Sequence, residues 1–560
     1  MNNNQNMQSP EFHKIKWGEH IQGAVKKFLK TAVIIDNQPW IRMDAEKIKT
    51  NENDLRNTGM DGDMPQLTAP EIVTSSGAHD LDLRAISDVF SEKGIACAFV
   101  LPDDANKDKQ QKLNRAINAA KVSDIVVIDW YLESKSAALT LEVLEEIAKS
   151  DSAENGRLRL ICIYTGEPLT DNIFNDVIAS LKKGGIDVDR ISGENFCAHS
   201  KSTIITLKNK NQLPASSLPE ALIQIFSRFA NGLIPSFALA AIGAIRNNTH
   251  HMLTRFSANI DAAYVSNRLI TNPPGDVAEL MRELMVSECD NALGLERIAD
   301  DYLESKTITK WLNYNQEKIK PLKYQDKDKE IHINLDFISS LLKNGINDND
   351  FMHDDGSRIA FPEKKRDLLS VSLTGSELVS KKCQNEFSKL VAFRRESTGS
   401  TTRLMNPEWL PSLTTGTILS YINNEKQKKY LMCFTPACDT LRMSSSRPFV
   451  FIEGSAATSK KYNLVISSEN GEDIGVFFDK RNPIVRTYSF SPDKETQRVR
   501  ACKKEKKYIF SDNNIDFEWI GEIRYSRATS EMASIANNWM RIGIIDSEYL
   551  RLASKGHFKF

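Results

Sequence analysis

Five short apolar runs, separated by amphipathic stretches, constrain this chain more than any other feature. They lie at 31–36, 95–101, 124–129, 158–165 and 202–208. Runs this short and this uniformly β-forming, such as Ile125-Val-Val-Ile128, read as strands buried on both faces, the environment of a parallel sheet. Helical periodicity fills the intervals. It covers 13–30, with Ile21, Ala24, Val25 and Phe28 on one stripe, then 80–93, 106–120, 137–149 and 173–183. Gly94 closes the second of these as a C-terminal glycine. Strands alternating with helices predict an α/β domain, a doubly wound five-stranded parallel sheet. Chemistry in such sheets collects at the carboxyl ends of the strands. The polar residues at those ends are Asp36, Asp129, Thr165 and Lys208.

A chain of 560 residues is too long for one core, and roughly three to four domains are expected at about 150 residues each. The organisation expected is a tail and helix over 1–30, then the sheet domain over 31–212, with a Pro-, Asn-, Asp- and Gly-rich surface insertion at 38–78. A helical domain follows over 213–315, a charged linker with helices over 316–412, a β-rich domain over 413–525 and terminal helices over 526–560. The formal net charge is −1, so only a local patch could attract nucleic acid or an anionic membrane. The eight cysteines form no CxxC pair and no zinc or disulfide spacing, which reads as thiols in a reducing cytoplasm. No apolar run approaches the ~20 residues that span a bilayer, and residues 1–10 lack the apolar centre of a signal peptide.

The order Asp36, Asp129, Thr165-Gly166 and a following lysine resembles the receiver domain of two-component response regulators. That resemblance implies an acidic metal site at Asp36, a phospho-accepting Asp129, a switch hydroxyl at Thr165 and a lysine at Lys208, with Lys201 and Lys210 as competitors. It also implies Mg²⁺, held by Asp36 and Asp129 through oxygen ligands. The metal and the ammonium would neutralise a transferring phosphoryl group. Two departures mark a degenerate or pseudo-receiver pattern. Asn37 stands where a second acid is usual, and Lys208 is not followed by proline.

Past the sheet domain, 218–230 is amphipathic through Leu222, Ile225, Phe226 and Phe229. A longer helix opens at Pro235, with small residues on one face that permit close packing. Further helices are expected over 257–269, 277–293, 296–313, 335–343 and 377–393. Adjacent His250 and His251 point about 100° apart on a helix and would not chelate one metal together. From about residue 413 the pattern becomes short strands with polar turns, at 417–422, 429–435, 448–452, 462–466, 475–478 and 507–510, a small antiparallel barrel or sandwich. Helices close the chain over 530–541 and 547–554.

Two motifs in this last part carry chemistry. In Phe434-Thr-Pro-Ala-Cys438-Asp439-Thr-Leu-Arg442, a guanidinium near Cys438 would lower its thiol pKa. No histidine lies between 354 and 556 to act as base, so a buried thiol with Asp439 and Arg442 capping the turn is the plainer reading. Arg498, Arg500, Lys503, Lys504, Lys506 and Lys507, after Arg481 and Arg486 and interleaved with Tyr488, Phe490 and Tyr508, could track a nucleic-acid backbone and stack bases. Residues 232–250 and 434–442 resemble large bacterial proteins described only as response receiver proteins, some encoded beside histidine-kinase-like ATPases in defence islands. The expectation is a cytoplasmic signalling protein rather than an enzyme, partnered with such an ATPase in a phosphorelay or anti-phage response. A nucleic-acid-binding effector acting through the β-rich domain is the alternative.

Overall fold

The structure is a computed structural model that describes residues 9–37, 39–40, 81–101, 109–133, 135–154, 156–271, 276–326, 329–346, 350–352, 358–399, 408–457, 461–505, 507–512, 515–540 and 552. Most of the expected insertion at 38–78, all but one residue of the helix expected at 547–554, and Lys506 lie outside the described residues. The chain divides into two compact units, Met1–Ala258 with Glu283–Gln316, and Asn259–Arg282 with Glu317–Phe560.

The first unit begins with α1 (Pro10–Phe28), whose cap Ser9 accepts a hydrogen bond from Phe12 N while Pro10 opens the first turn. Then follow β1 (Thr31–Ile35), α2 (Leu83–Glu92), β2 (Ala96–Val100), α3 (Lys109–Val122), β3 (Ile125–Ile128), α4 (Ala138–Ala153), β4 (Arg159–Thr165) and α5 (Asp171–Lys183). Three strands complete the set, β5 (Asp189–Arg190), β6 (Cys197–His199) and β7 (Thr203–Asn209). The sheet order is β2-β1-β3-β4-β7-β6-β5. The first five strands run parallel and the last two pair antiparallel at one edge. The sheet therefore has seven strands, not the five expected. The extra pair is too short and too polar to show a period of two.

Side chains alternate across this sheet. Val33, Ile35, Val126, Ile128, Ile161, Ile163, Ile205 and Leu207 pack on α3, α4 and α5. Ile34, Val127, Leu160, Cys162, Tyr164 and Ile204 pack on α1, α2 and α6 (Leu218–Phe226). Both faces are covered, which is why the strands read as unbroken apolar runs. Next, α7 (Leu233–Asn247) crosses α1 where a Cβ on Gly243 would lie 2.4 Å from the Lys27 carbonyl oxygen, so only glycine permits the approach. At the amino-terminal rim of the sheet, Asp124 accepts from Lys30 N at 2.9 Å, and Arg246 of α7 reaches it at 3.3 Å. The helical extension is thus fastened to the rim opposite the carboxyl ends.

In the second unit, β8 (Leu322–Asp326) and β9 (Lys329–Ile333) form a hairpin, followed by α8 (Leu335–Asn344). Tyr324, Ile331, Ile333, Phe337 and Phe361 are buried, so this stretch has its own small core where the sequence suggests a charged linker. After α9 (Glu377–Ala392) come β10 (Phe393–Glu396), β11 (Thr417–Ile422), β12 (Lys428–Cys433), β13 (Arg447–Ala456), β14 (Leu464–Ser467), β15 (Asp473–Phe478), β16 (Ile484–Phe490), β17 (Cys502–Lys504), β18 (Lys507–Asp512), β19 (Ile515–Ile523) and α10 (Tyr525–Met540). They form one ten-stranded antiparallel sheet with an apolar cluster on each face. No helix among the described residues is long and apolar enough to cross a membrane.

Candidate functional site

Register builds the site. The parallel ladder pairs Ile35 with Ile128, so β1 and β3 stop flush, and the first residues beyond them, Asp36 and Asp129, stand side by side. Asp36 N donates to Val100 O at 3.3 Å and Asp129 N to Ile35 O at 2.9 Å, which holds both backbones on the sheet. Both side chains are nearly closed to water.

An ammonium lies between them, and it is that of Lys210. Its Nζ donates to Asp36 Oδ2 at 2.8 Å and lies 3.0 Å from Asp129 Oδ1. Lys208, the residue read from sequence, belongs to β7 beside Tyr164, and its charge acts on Cys162 and Cys197 instead. Lys201 is exposed before β7. Strand length explains the difference. β7 runs through Asn209, so the first turn residue, equivalent in place to Asp36 and Asp129, is Lys210.

Asp129 is held from two sides. Its Oδ2 accepts from Tyr131 N at 3.1 Å, and its buried Oδ1 faces the Lys210 ammonium at 3.0 Å. Burial pushes this carboxyl above the ordinary carboxylate range, the Lys210 ammonium opposes the rise and the Asp36 charge adds to it. Behind the acid, the buried Thr140 hydroxyl lies 3.0 Å from both the Asp129 and Trp130 carbonyl oxygens, which fixes the turn. Thr165 is buried at the end of β4, where its Oγ1 accepts from Glu167 N at 3.1 Å and its carbonyl accepts from Lys210 N at 2.8 Å. A buried carboxylate beside an ammonium is an arrangement that can pair an oxygen nucleophile with a cation able to neutralise an incoming anion. Sequence reasoning missed Thr140 and the choice of Lys210. Counting one residue past each strand end would have found the lysine.

The other singled-out residues do not join this cluster. His250 and His251 are exposed, and among the described residues no group of three or more His, Cys, Asp or Glu side chains could hold a metal. Cys438 is exposed on the short helical turn Ala437–Thr440, not buried as the plainer reading had it, with its Sγ 3.6 Å from Asp439 Oδ1, and Arg442 is exposed too. Of the basic run, Lys504 pairs with Asp516 at 2.7 Å and Lys507 pairs with Glu469 and Glu518. Arg486 pairs with Glu453 at 2.7 Å. Arg500 and Lys503 are exposed and Arg498 is half-buried. Phe490 is in the core, and Tyr488 and Tyr508 pack against it. The aromatics expected to stack bases thus face inward.

No curated protein and no solved structure matches the chain. Residues 28–215 match the family model described as Response receiver domain, so the third of the chain that carries Asp36, Asp129, Thr165 and Lys210 is similar to the response receiver domains.

Proposed function

We propose that this protein is a signalling regulator whose receiver-like domain takes a phosphoryl group on Asp129 and passes the change to the rest of the chain. The observation that carries this reading is the convergence of Asp36, Lys210 and Asp129 at the carboxyl ends of the strands, with the Lys210 ammonium within 3.0 Å of an oxygen on each acid. In the step, Asp129 Oδ1 attacks the phosphorus of an acyl phosphate or a phosphohistidine. The new oxygen–phosphorus bond forms as the bond to the leaving oxygen or nitrogen breaks, and that atom keeps the electron pair. The Lys210 ammonium neutralises charge on the transferring group.

The two carboxylates are the hard oxygen donors that Mg²⁺ takes. Asp36 and Asp129 would hold the ion, which when bound supplies further charge neutralisation. With Asn37 in place of a second acid, the ammonium carries more of that task, which is the sense in which the domain is degenerate. The donor we favour is a histidine-kinase-like ATPase partner in a bacterial stress or anti-phage response, acting in a reducing cytoplasm that suits eight free thiols.

Incubating the full chain with acetyl phosphate and mapping the adduct by mass spectrometry tests this. One phosphoryl group on Asp129 is expected, absent from Asp129→Asn, at a rate that rises with pH as the raised carboxyl ionises. No adduct, or one that survives Asp129→Asn, contradicts the reading.

A further inference from the structure

We infer that Asn209 is the positioning residue for the Lys210 ammonium, because its side-chain amide straps the turn that carries the lysine to the turn that follows Thr165. The inference rests on the Asp36–Lys210–Asp129 site proposed above and names what holds its cation in place.

A lysine side chain has four rotatable carbons, and keeping its ammonium between two carboxylates requires that its root be fixed. Here the root is fixed by bonds to one neighbouring turn. Asn209 Nδ2 donates to the Glu167 carbonyl oxygen at 2.7 Å, and Lys210 N donates to Thr165 O at 2.8 Å. On the far side, Tyr164 Oη donates to Leu213 O at 2.7 Å. The same asparagine shapes the lysine's own turn. Its Oδ1 accepts from Asn211 N at 2.8 Å, and its carbonyl accepts from Gln212 N at 3.1 Å and Leu213 N at 2.9 Å. Residues 209–213 are therefore tied at both ends to 164–167.

The side chain must supply a donor and an acceptor at once, and among residues of this size asparagine does so. Aspartate keeps the acceptor but has no donor, and would set a charge against the Glu167 carbonyl. Asn209 itself is only 6% exposed, so the amide donor sits where water does not readily replace it. One consequence follows for signalling. Because the two turns are strapped together, a group on Asp129 that draws Lys210 also draws the Thr165–Glu167 turn.

Reactivity of the lysine measures its position without any phosphoryl transfer. The full chain is acylated with limiting N-hydroxysuccinimidyl acetate, and modification at Lys210 and at exposed Lys201 is quantified by mass spectrometry. Amide exchange of β3 and β4 is followed in parallel. In the wild type Lys210 should react far more slowly than Lys201. Asn209→Asp, which keeps the cap on Asn211 and loses the strap, should raise Lys210 acylation about tenfold while β3 and β4 exchange stays unchanged. Asn209→Ala should do at least as much. The inference is overturned if Asn209→Asp leaves Lys210 as protected as in the wild type, or if the gain comes with equal loosening of β3 and β4. If the wild type takes no phosphoryl group yet Asn209→Asp frees Lys210, the proposed function fails while the strap stands.

Discussion

Lys210 in the first unit and Lys389 in the second are both buried ammonium groups facing two acids, yet burial weighs differently on the two clusters. Lys389 Nζ lies 2.8 Å from Asp473 Oδ1, 3.0 Å from Ser467 Oγ and 2.5 Å from Glu386 Oε1, and Asn385 occupies the other Asp473 oxygen at 3.0 Å. Burial pulls the Lys389 ammonium down, but its bonds to Asp473 and Glu386 outweigh it and leave the pKa raised. That cluster fastens α9 to β14 and β15. At Asp129 the balance runs the other way: burial raises its pKa, the Lys210 ammonium opposes the rise and the Asp36 charge adds to it. A buried charge whose partners outweigh its burial holds a fold together. One on which burial wins is the kind of perturbed group that gathers at functional sites.

Replacing each lysine should separate the two clusters. Lys210→Met removes the ammonium shared by two adjacent buried carboxylates, so it should destabilise the first unit by about 3–5 kcal/mol in denaturant unfolding and abolish labelling of Asp129. Lys389→Met strands one partly exposed and one exposed acid. A smaller loss of about 1.5–2 kcal/mol is expected, confined to the second unit's transition, with acetyl-phosphate labelling unchanged. Equal losses, or a labelling defect in Lys389→Met, would erase the distinction.

Much of the first unit was legible in the sequence because its strands are buried on both faces. Ile125–Ile128 has one way to satisfy four β-formers in a row, and the helical stripes around it agree. Legibility failed where the signal was not periodic. The β5 and β6 pair is two and three residues long, and β8 and β9 hide Tyr324, Ile331 and Ile333 among alternating charges. In α9 amphipathic logic inverts. The helix buries Ser380, Asn385 and Lys389 and exposes Leu378, Val379, Phe387, Leu390 and Val391, because its polar face answers Asp473. At the site, Asp36, Asp129 and Thr165 could be found as strand ends. Choosing Lys210 over Lys208 required knowing that β7 ends at Asn209, and the role of Asn209 depends on backbone carbonyls that no side-chain pattern encodes.

The unfolding free energy of Asp129→Asn, measured against the wild type from about pH 4 to pH 7, bears most directly on the balance within the Asp36–Lys210–Asp129 cluster. A carboxyl whose folded pKa lies above its unfolded value of about 3.9 stabilises the fold while it is protonated, and that contribution is lost as pH rises through the folded pKa. Removing the charge should therefore stabilise the first unit at pH 7, with the gain shrinking as pH falls towards the unfolded value. If Asp129→Asn instead destabilises the unit at pH 7, as Lys389→Met should the second, Asp129 is a structural fastening and the account of a poised acceptor is wrong.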